Sequence, residues 1–265
     1  MMPFDYYRPA TLPEAEKLLV ANDDSTLLAG GMTLLPTLKM RLAQPSVLID
    51  LGSIKSLAGV REQDGYVEIG AMMTHGEVAG HPIIREKIPA LALLAGNIGD
   101  PQVRNRGTLG GSVANSDPAA DYPAAVLGLN AIIVTQKREI VADEFFLEMF
   151  ETALEPAEII TAIRFPVAGS AAYEKFANPA SGYAIAGVMV VRSSGGIRVA
   201  VTGVASCVFR QQEMEAALDK NFAPAALVDI AVSSAGFNSD MHASPEYRAD
   251  LVKVLAQRAV VAAQG

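Results

Sequence analysis

Leu28-Ala29-Gly30-Gly31-Met32-Thr33 stands between a short apolar run, Thr26-Leu27-Leu28, and a stretch from Thr33 to Leu42 whose apolar residues fall at positions 34, 35, 38 and 42, the helical spacing. Glycines between a strand and a helix let the backbone turn sharply and approach a ligand. The helix that follows offers free N–H groups and a positive dipole end, and Thr33 adds a hydroxyl. Such a place suits a pyrophosphate, though the same pattern also makes an ordinary turn. Thr108-Leu109-Gly110-Gly111-Ser112 repeats the theme inside residues 97–116, a polar, glycine-rich stretch that reads as an unusually long and therefore functional loop. Two such segments, the second followed by Asp121, point to a dinucleotide site. One would cradle phosphates and the other would run along the rest of the cofactor. Neither has G-x-G-x-x-G spacing, which disfavours a Rossmann-type site.

Working outward, Thr11-Leu12-Pro13-Glu14 has capping-box spacing and opens a helix that Asn22-Asp23-Asp24 ends. Pro36 is tolerated because it falls in the first turn of the helix over 33–42. Val47 to Asp50 reads as a buried strand and Tyr66 to Ile69 as an alternating one. Thr74-His75-Gly76-Glu77 repeats the capping-box spacing, and a longer helix runs from about Ile88 to Gly96. Asp117-Pro118 is expected to cap a helix reaching Leu129, followed by a strand over Ala131–Thr135. Tyr183–Val191 and Gly196–Val204 are β-rich runs joined by a Ser193-Ser194-Gly195-Gly196 hairpin signal. Helices are expected over Gln211–Leu218, Pro224–Ser233 and Pro245–Ala262, the last with Ser244 as cap. The divisions expected are 1–57, 58–168 and 169–265.

The chain has 265 residues, 51% hydrophobic and 19% charged, enough to bury one large core or two to three small ones. A net charge of −8 with scattered Lys and Arg argues against nucleic acid as partner. The single cysteine, Cys207, in an apolar setting, excludes an iron–sulfur or zinc cluster held by this chain alone and reads as an inert thiol. The start lacks the features of a signal peptide and no stretch is long enough to span a bilayer, so a cytoplasmic protein without a transmembrane segment is expected. His75, His81 and His242 show no metal-ligand spacing and read as surface or capping residues. Arg104 and Arg106 fit phosphate or partner binding, or the fixing of their own loop. No Ser-His-Asp or Cys-His set supports hydrolysis.

Ala29 to Pro36, with Lys39, Arg41-Leu42-Ala43 and Leu48-Ile49-Asp50, closely resembles the first flavin segment of the FAD-binding medium subunits of the carbon monoxide dehydrogenase and xanthine dehydrogenase family of molybdenum hydroxylases. Ile98 to Ser112, continuing through Asn115-Ser116-Asp117-Pro118-Ala119-Ala120-Asp121, looks like that family's second segment. Gly70-Ala71, Thr74, Glu77 and Tyr173-Glu174-Lys175-Phe176 extend the resemblance almost end to end. It implies an α+β fold: an FAD-binding region of the PCMH type with two α/β subdomains, then a domain with a small antiparallel sheet and helices.

The same resemblance implies roles for particular residues. Ala29, Gly30, Gly31, Met32 and Thr33 would wrap the FAD pyrophosphate. Thr108, Leu109, Gly110, Gly111 and Ser112 would lie along the cofactor, and Asp121 would hydrogen-bond it. Ile98, Ile160 and Lys175 would line the flavin pocket, with Tyr183 near the isoalloxazine. A side chain at Gly30 or Gly110 is expected to enter cofactor space. Met32, Thr33, Ser112 and Gly182 depart from the family's usual residues without removing the glycine backbone. The implied activity is electron transfer from a small [2Fe–2S] subunit, fed by a molybdenum-cofactor large subunit, through FAD to an external acceptor, in a dimer of three-subunit units. Two alternatives stand beside it: a self-contained flavin oxidase of the vanillyl-alcohol-oxidase type, and a flavin-free assembly subunit.

Overall fold

In the computed structural model, residues 1–167 and 169–264 are described; the boundary expected at 168 falls on Ala168, outside them. The first fifty residues form a three-stranded parallel sheet: β1 (Asp5–Tyr7), helix α1 (Leu12–Ala21), β2 (Ser25–Leu28), α2 (Leu34–Lys39) and β3 (Val47–Asp50), in the spatial order β1-β3-β2. Thr11 accepts from the Glu14 N–H at 3.4 Å, and the Glu14 carboxylate accepts from Ala10 N–H at 3.0 Å, so the expected cap is present. Ala15, Val47, Ile49 and Leu51 pack here with Ile54, Leu57 and Ile159. Helix α2 is shorter than the period over 33–42 predicts, because Arg41 turns left-handed with φ 60°.

A five-stranded antiparallel sheet follows, built from β4 (Val60–Gln63), β5 (Tyr66–Gly70), helices α3 (His75–Gly80), α4 (Pro82–Lys87), α5 (Pro89–Gly96), α6 (Pro101–Arg104), α7 (Leu109–Asn115) and α8 (Tyr122–Gly128), then β6 (Ile132–Thr135), β7 (Glu139–Val141), α9 (Ala142–Phe145), the small β8 (Phe146–Glu148) and β9 (Glu151–Thr152) pair, and β10 (Ile160–Pro166). Strand order β4-β5-β10-β6-β7 inserts the last strand between two much earlier ones. The loop expected over 97–116 is therefore not structureless: α6 and α7 occupy much of it, each capped, by Asp100 and by Thr108. Asp117 does not cap the next helix. Its carboxylate accepts from Ala119 N–H at 2.9 Å, closing a local turn, and α8 begins only at Tyr122.

The last unit is a four-stranded antiparallel sheet of β11 (Ser170–Ala177), β12 (Ala184–Ser193), β13 (Gly196–Thr202) and β14 (Phe209–Arg210), with α10 (Gln212–Lys220) and α11 (Pro245–Ala262). The hairpin signal is realised as a two-residue turn closed by the Ser193–Gly196 pair. Strand β12 is almost wholly apolar because both its faces are covered. Met189 and Val191, with Ala200, enter the core of the preceding sheet, while Val188 and Val190 pack against α10 and α11. Helix α8 lies so close that a Cβ on Gly128 would come within 2.8 Å of Met189. Pro224–Leu227 forms only a 3₁₀ turn, so the helix expected to Ser233 is absent. Among the described residues no helix is long and apolar enough to cross a membrane.

Candidate functional site

The first two units and the 181–183 loop of the last surround a cavity of about 650 Å³, a size typical of cofactor sites. Thirteen of the fifteen expected residues line it: Ala29, Gly30, Gly31, Met32, Thr33, Ile98, Thr108, Gly110, Gly111, Ser112, Asp121, Ile160 and Tyr183. Leu109 does not; its side chain is fully buried in the core of the second sheet, where it anchors α7. Lys175 does not either, and lies behind the wall.

The two glycine segments touch each other. A Cβ on Gly30 would sit 2.1 Å from the Arg106 carbonyl oxygen, and one on Gly110 would sit 2.5 Å from the Ala71 Cβ. Both glycines thus permit backbone-to-backbone packing within the protein, which corrects the expectation that their missing side chains make room for the cofactor. Gly31 has a different reason: its φ of 75° is one that L side chains rarely adopt.

The segments also differ in what their amides can do. Leu109 N–H donates to the Met73 carbonyl at 2.9 Å, Gly110 N–H to Ala71 at 2.8 Å, Gly111 N–H to the Thr108 hydroxyl at 3.2 Å, and Ser112 N–H to the Thr108 carbonyl at 3.0 Å. The start of α7 is therefore satisfied from within. By contrast, the N–H groups of Gly31, Met32, Thr33 and Leu34 have no acceptor among the described residues, and the Thr33 hydroxyl makes no capping bond. Four consecutive free donors at the head of a helix are an anion cradle. The first segment thus keeps free donors at the cavity wall, whereas the amides of 109–112 are committed within the protein.

Asp121, 5% exposed, accepts from Tyr173 Oη at 2.5 Å and from Lys175 Nζ at 3.0 Å. Burial pushes its carboxyl upward, against the opposing pull of Lys175 and the hydrogen bonds. A carboxylate has about four acceptor sites, so lone pairs remain for a ligand in the cavity. Tyr183, 44% exposed, is carried by a turn in which Gly182 takes φ 75° and a Cβ there would lie 3.4 Å from Gly99. That geometry suits a glycine at 182. Burial, then the charge of Asp117, pushes the Tyr183 phenol up.

Some lining residues were not anticipated as such. His75 is not on the surface: it is 5% exposed, its ring centroid lies 5.2 Å from that of Tyr122, and burial followed by the Arg104 charge lowers its pKa to about 4. It is neutral at physiological pH. Its only sequence signal was the capping box of Thr74 and Glu77, which is fully formed. Arg104 fixes its own loop, donating to the Ile98 and Gly99 carbonyls at 3.0 and 2.9 Å, whereas Arg106 is exposed. Cys207 is half-buried, and burial followed by Glu148 pushes its thiol up, which leaves it poorly nucleophilic.

A cavity between a parallel α/β unit and a helix-covered antiparallel sheet, closed by the 181–183 loop, with an anion cradle on one wall, suits a nucleotide cofactor. Residues 2–168 match the family model described as the FAD binding domain in molybdopterin dehydrogenase, and residues 171–263 match the CO dehydrogenase flavoprotein C-terminal domain. The chain is 37% identical to the nicotine 6-hydroxylase medium subunit of Paenarthrobacter nicotinovorans, over 97% of this chain and 96% of the relative. It is 38% identical to the carbon monoxide dehydrogenase medium chain of Hydrogenophaga pseudoflava, over 98% and 96%. The solved carbon monoxide dehydrogenase of H. pseudoflava superposes with a TM-score of 0.91 at 39% identity, covering 100% of this chain and 99% of that one. Quinoline 2-oxidoreductase from Pseudomonas putida 86 gives 0.90 at 28% identity, covering 99% and 97%. The chain belongs to the FAD-binding medium subunits of the molybdenum hydroxylases; it is an oxidoreductase subunit and its cofactor is FAD. The residues present fit that group, since the free amides of 31–34 suit a pyrophosphate and the Asp121 carboxylate suits an N–H or hydroxyl donor.

Proposed function

We propose that this chain is the electron-transfer subunit of a cytoplasmic molybdenum hydroxylase, working beside a molybdenum-cofactor large subunit and a small [2Fe–2S] subunit in a dimer of three-subunit units. FAD, when bound, supplies the redox chemistry that connects the partner clusters with an external acceptor. The protein's own part is to bind, orient and shield. The Gly31–Leu34 amides and Thr33 hydroxyl hold the pyrophosphate. Ala29, Gly30, Met32 and the Thr108–Ser112 segment form the adjoining walls, Leu109 from behind. Asp121 accepts a hydrogen bond, and Ile98, Ile160 and Tyr183 exclude water from the ring. On this reading residues 1–57 and 58–168 are the two FAD-binding subdomains and 169–265 the C-terminal domain.

The observation that carries the proposal is the run of four consecutive amides at 31–34 with no acceptor among the described residues, on a cavity where the amides of 109–112 are all committed within the protein. Dependence on partners is supported by the single cysteine, which leaves no iron–sulfur cluster on this chain alone. It is further supported by relatives whose names are those of medium subunits or medium chains. The test is acid release and identification of the flavin from the chain purified with its partners. One FAD per chain is expected, falling steeply in Gly31→Val, where φ 75° excludes a branched side chain. A full complement of FAD in that variant would refute the assignment of the cradle.

A further inference from the structure

Lys175 projects from β11 into the junction behind the cavity, its side chain 9% exposed. Its ammonium donates to Asp121 Oδ2 at 3.0 Å, to the Asn97 carbonyl at 2.9 Å and to the Gly182 carbonyl at 3.0 Å. An ammonium has three N–H donors and no acceptor, so all three are committed within the protein. Each partner belongs to a different piece of the cavity wall: Asp121 lines it directly, Ile98 follows Asn97, and Tyr183 follows Gly182. Gly99 and Gly182 approach closely, both with positive φ, and neither has a side chain to hold the other. Among the described residues no other hydrogen bond joins 97–99 to 178–183. The Tyr173 phenol on the other Asp121 oxygen is confined too, since a Cβ on Gly187 would meet it at 2.3 Å.

We propose that Lys175 is a positioning residue that gives no hydrogen bond to the cofactor: it neutralises the buried Asp121 carboxylate and ties the Ile98 and Tyr183 walls to a single point. This departs from the pocket-lining role that resemblance assigns it, and its cofactor arm rests on the FAD site proposed above. Removing the cation leaves the buried Asp121 charge without its counter-ion, a costly state, and also removes the hydrogen bonds through which, among the described residues, the two loops are linked.

The test uses the chain in its purified complex, stripped of and then reloaded with FAD, followed by amide hydrogen exchange and by FAD titration. In flavin-free wild type, residues 178–183 are expected to be protected already; protection that appears only on adding FAD would overturn the proposal. Lys175→Met is expected to speed exchange in both 97–99 and 178–183 by about tenfold, as for local opening. It should weaken FAD binding by about tenfold, the lower range for losing a residue that orients a ligand group. Adding Asp121→Asn to Lys175→Met should restore part of that affinity, because the orphaned charge is gone. Unchanged exchange with additive losses in the double variant would make Lys175 a direct ligand and sink the idea. Should Lys175→Met fail to fold, the wild-type comparison decides. Wild type that takes up no FAD refutes the cofactor reading, while exchange in the flavin-free forms still tests the clamp.

Discussion

Replacing Gly30 by alanine separates a glycine that serves protein packing from one that serves the cofactor. The new Cβ would lie 2.1 Å from the Arg106 carbonyl oxygen and 2.8 Å from Gly107 Cα, both backbone atoms. Restoring ordinary contact at 3.4 Å requires that carbonyl to retreat by about 1.3 Å. The peptide cannot yield freely, because Gly107 N–H donates to the Val103 carbonyl at 2.7 Å and the Gly107 carbonyl accepts from His75 N–H at 2.9 Å. A shift of that size takes one of these bonds beyond hydrogen-bond distance. Overpacking costs ~1–3 kcal/mol and the lost backbone bond ~1 kcal/mol, for a total of ~2–4 kcal/mol. For a chain of this size that corresponds to a fall in Tm of roughly 4–16 °C. The assay is thermal unfolding of the flavin-free chain beside the loaded one. The account expects the drop in both. A flavin-free Gly30→Ala chain that melts like wild type, with only FAD binding lost, would refute the packing argument.

Further outcomes follow from other contacts. Thr108→Val removes the hydroxyl that accepts from Gly111 N–H, so stability should fall by ~1 kcal/mol in chemical denaturation, with exchange of the Gly111 amide accelerated. His75 is held neutral, its pKa lowered to about 4 by burial and then by Arg104. Its folded value lies below the unfolded one, so its contribution is present above pH ~6.5 and is lost as pH falls towards 4, amounting to ~3 kcal/mol. His75→Phe should flatten the stability profile in that window, and an unchanged slope would contradict the assignment. Glu158 behaves as a paired acid: burial alone would raise it, but bonds from Arg138, the Glu155 N–H and Thr135 outweigh that and hold its pKa at about 2. Its contribution is present above pH ~4.5 and is lost from there down to about 2, so Glu158→Gln should remove that lower acid limb from a urea titration.

How far the site could be read from sequence depends on the distance over which its causes act. The cap at Thr11, the hairpin at Ser193–Gly196 and the box of Thr74 and Glu77 are local chemistry, and the structure contains all three. The glycine segments were legible as places where a backbone must come close, but what they approach was not. Gly30 meets Arg106, 76 residues on, and Gly110 meets Ala71. Which segment keeps free amides is likewise decided by Met73 and Ala71, residues outside either motif. The helices inside 97–116 were hidden because α6 and α7 are short and start at a proline and at the residue after a threonine cap, with no apolar period to mark them. The insertion of β10 between β5 and β6 has no local signature, and neither does the meeting of Asp121 with Tyr173 and Lys175 across more than fifty residues.

The central claim is that electrons reach this chain from partner subunits and leave it through FAD. The direct measurement is anaerobic addition of the complex's reducing substrate while the flavin absorbance is followed, first in the complete complex and then in this chain alone loaded with FAD. The account predicts bleaching of the flavin band in the complete complex and none in the isolated, loaded chain. Substrate-driven bleaching in the isolated chain would contradict it and identify a self-contained flavin enzyme.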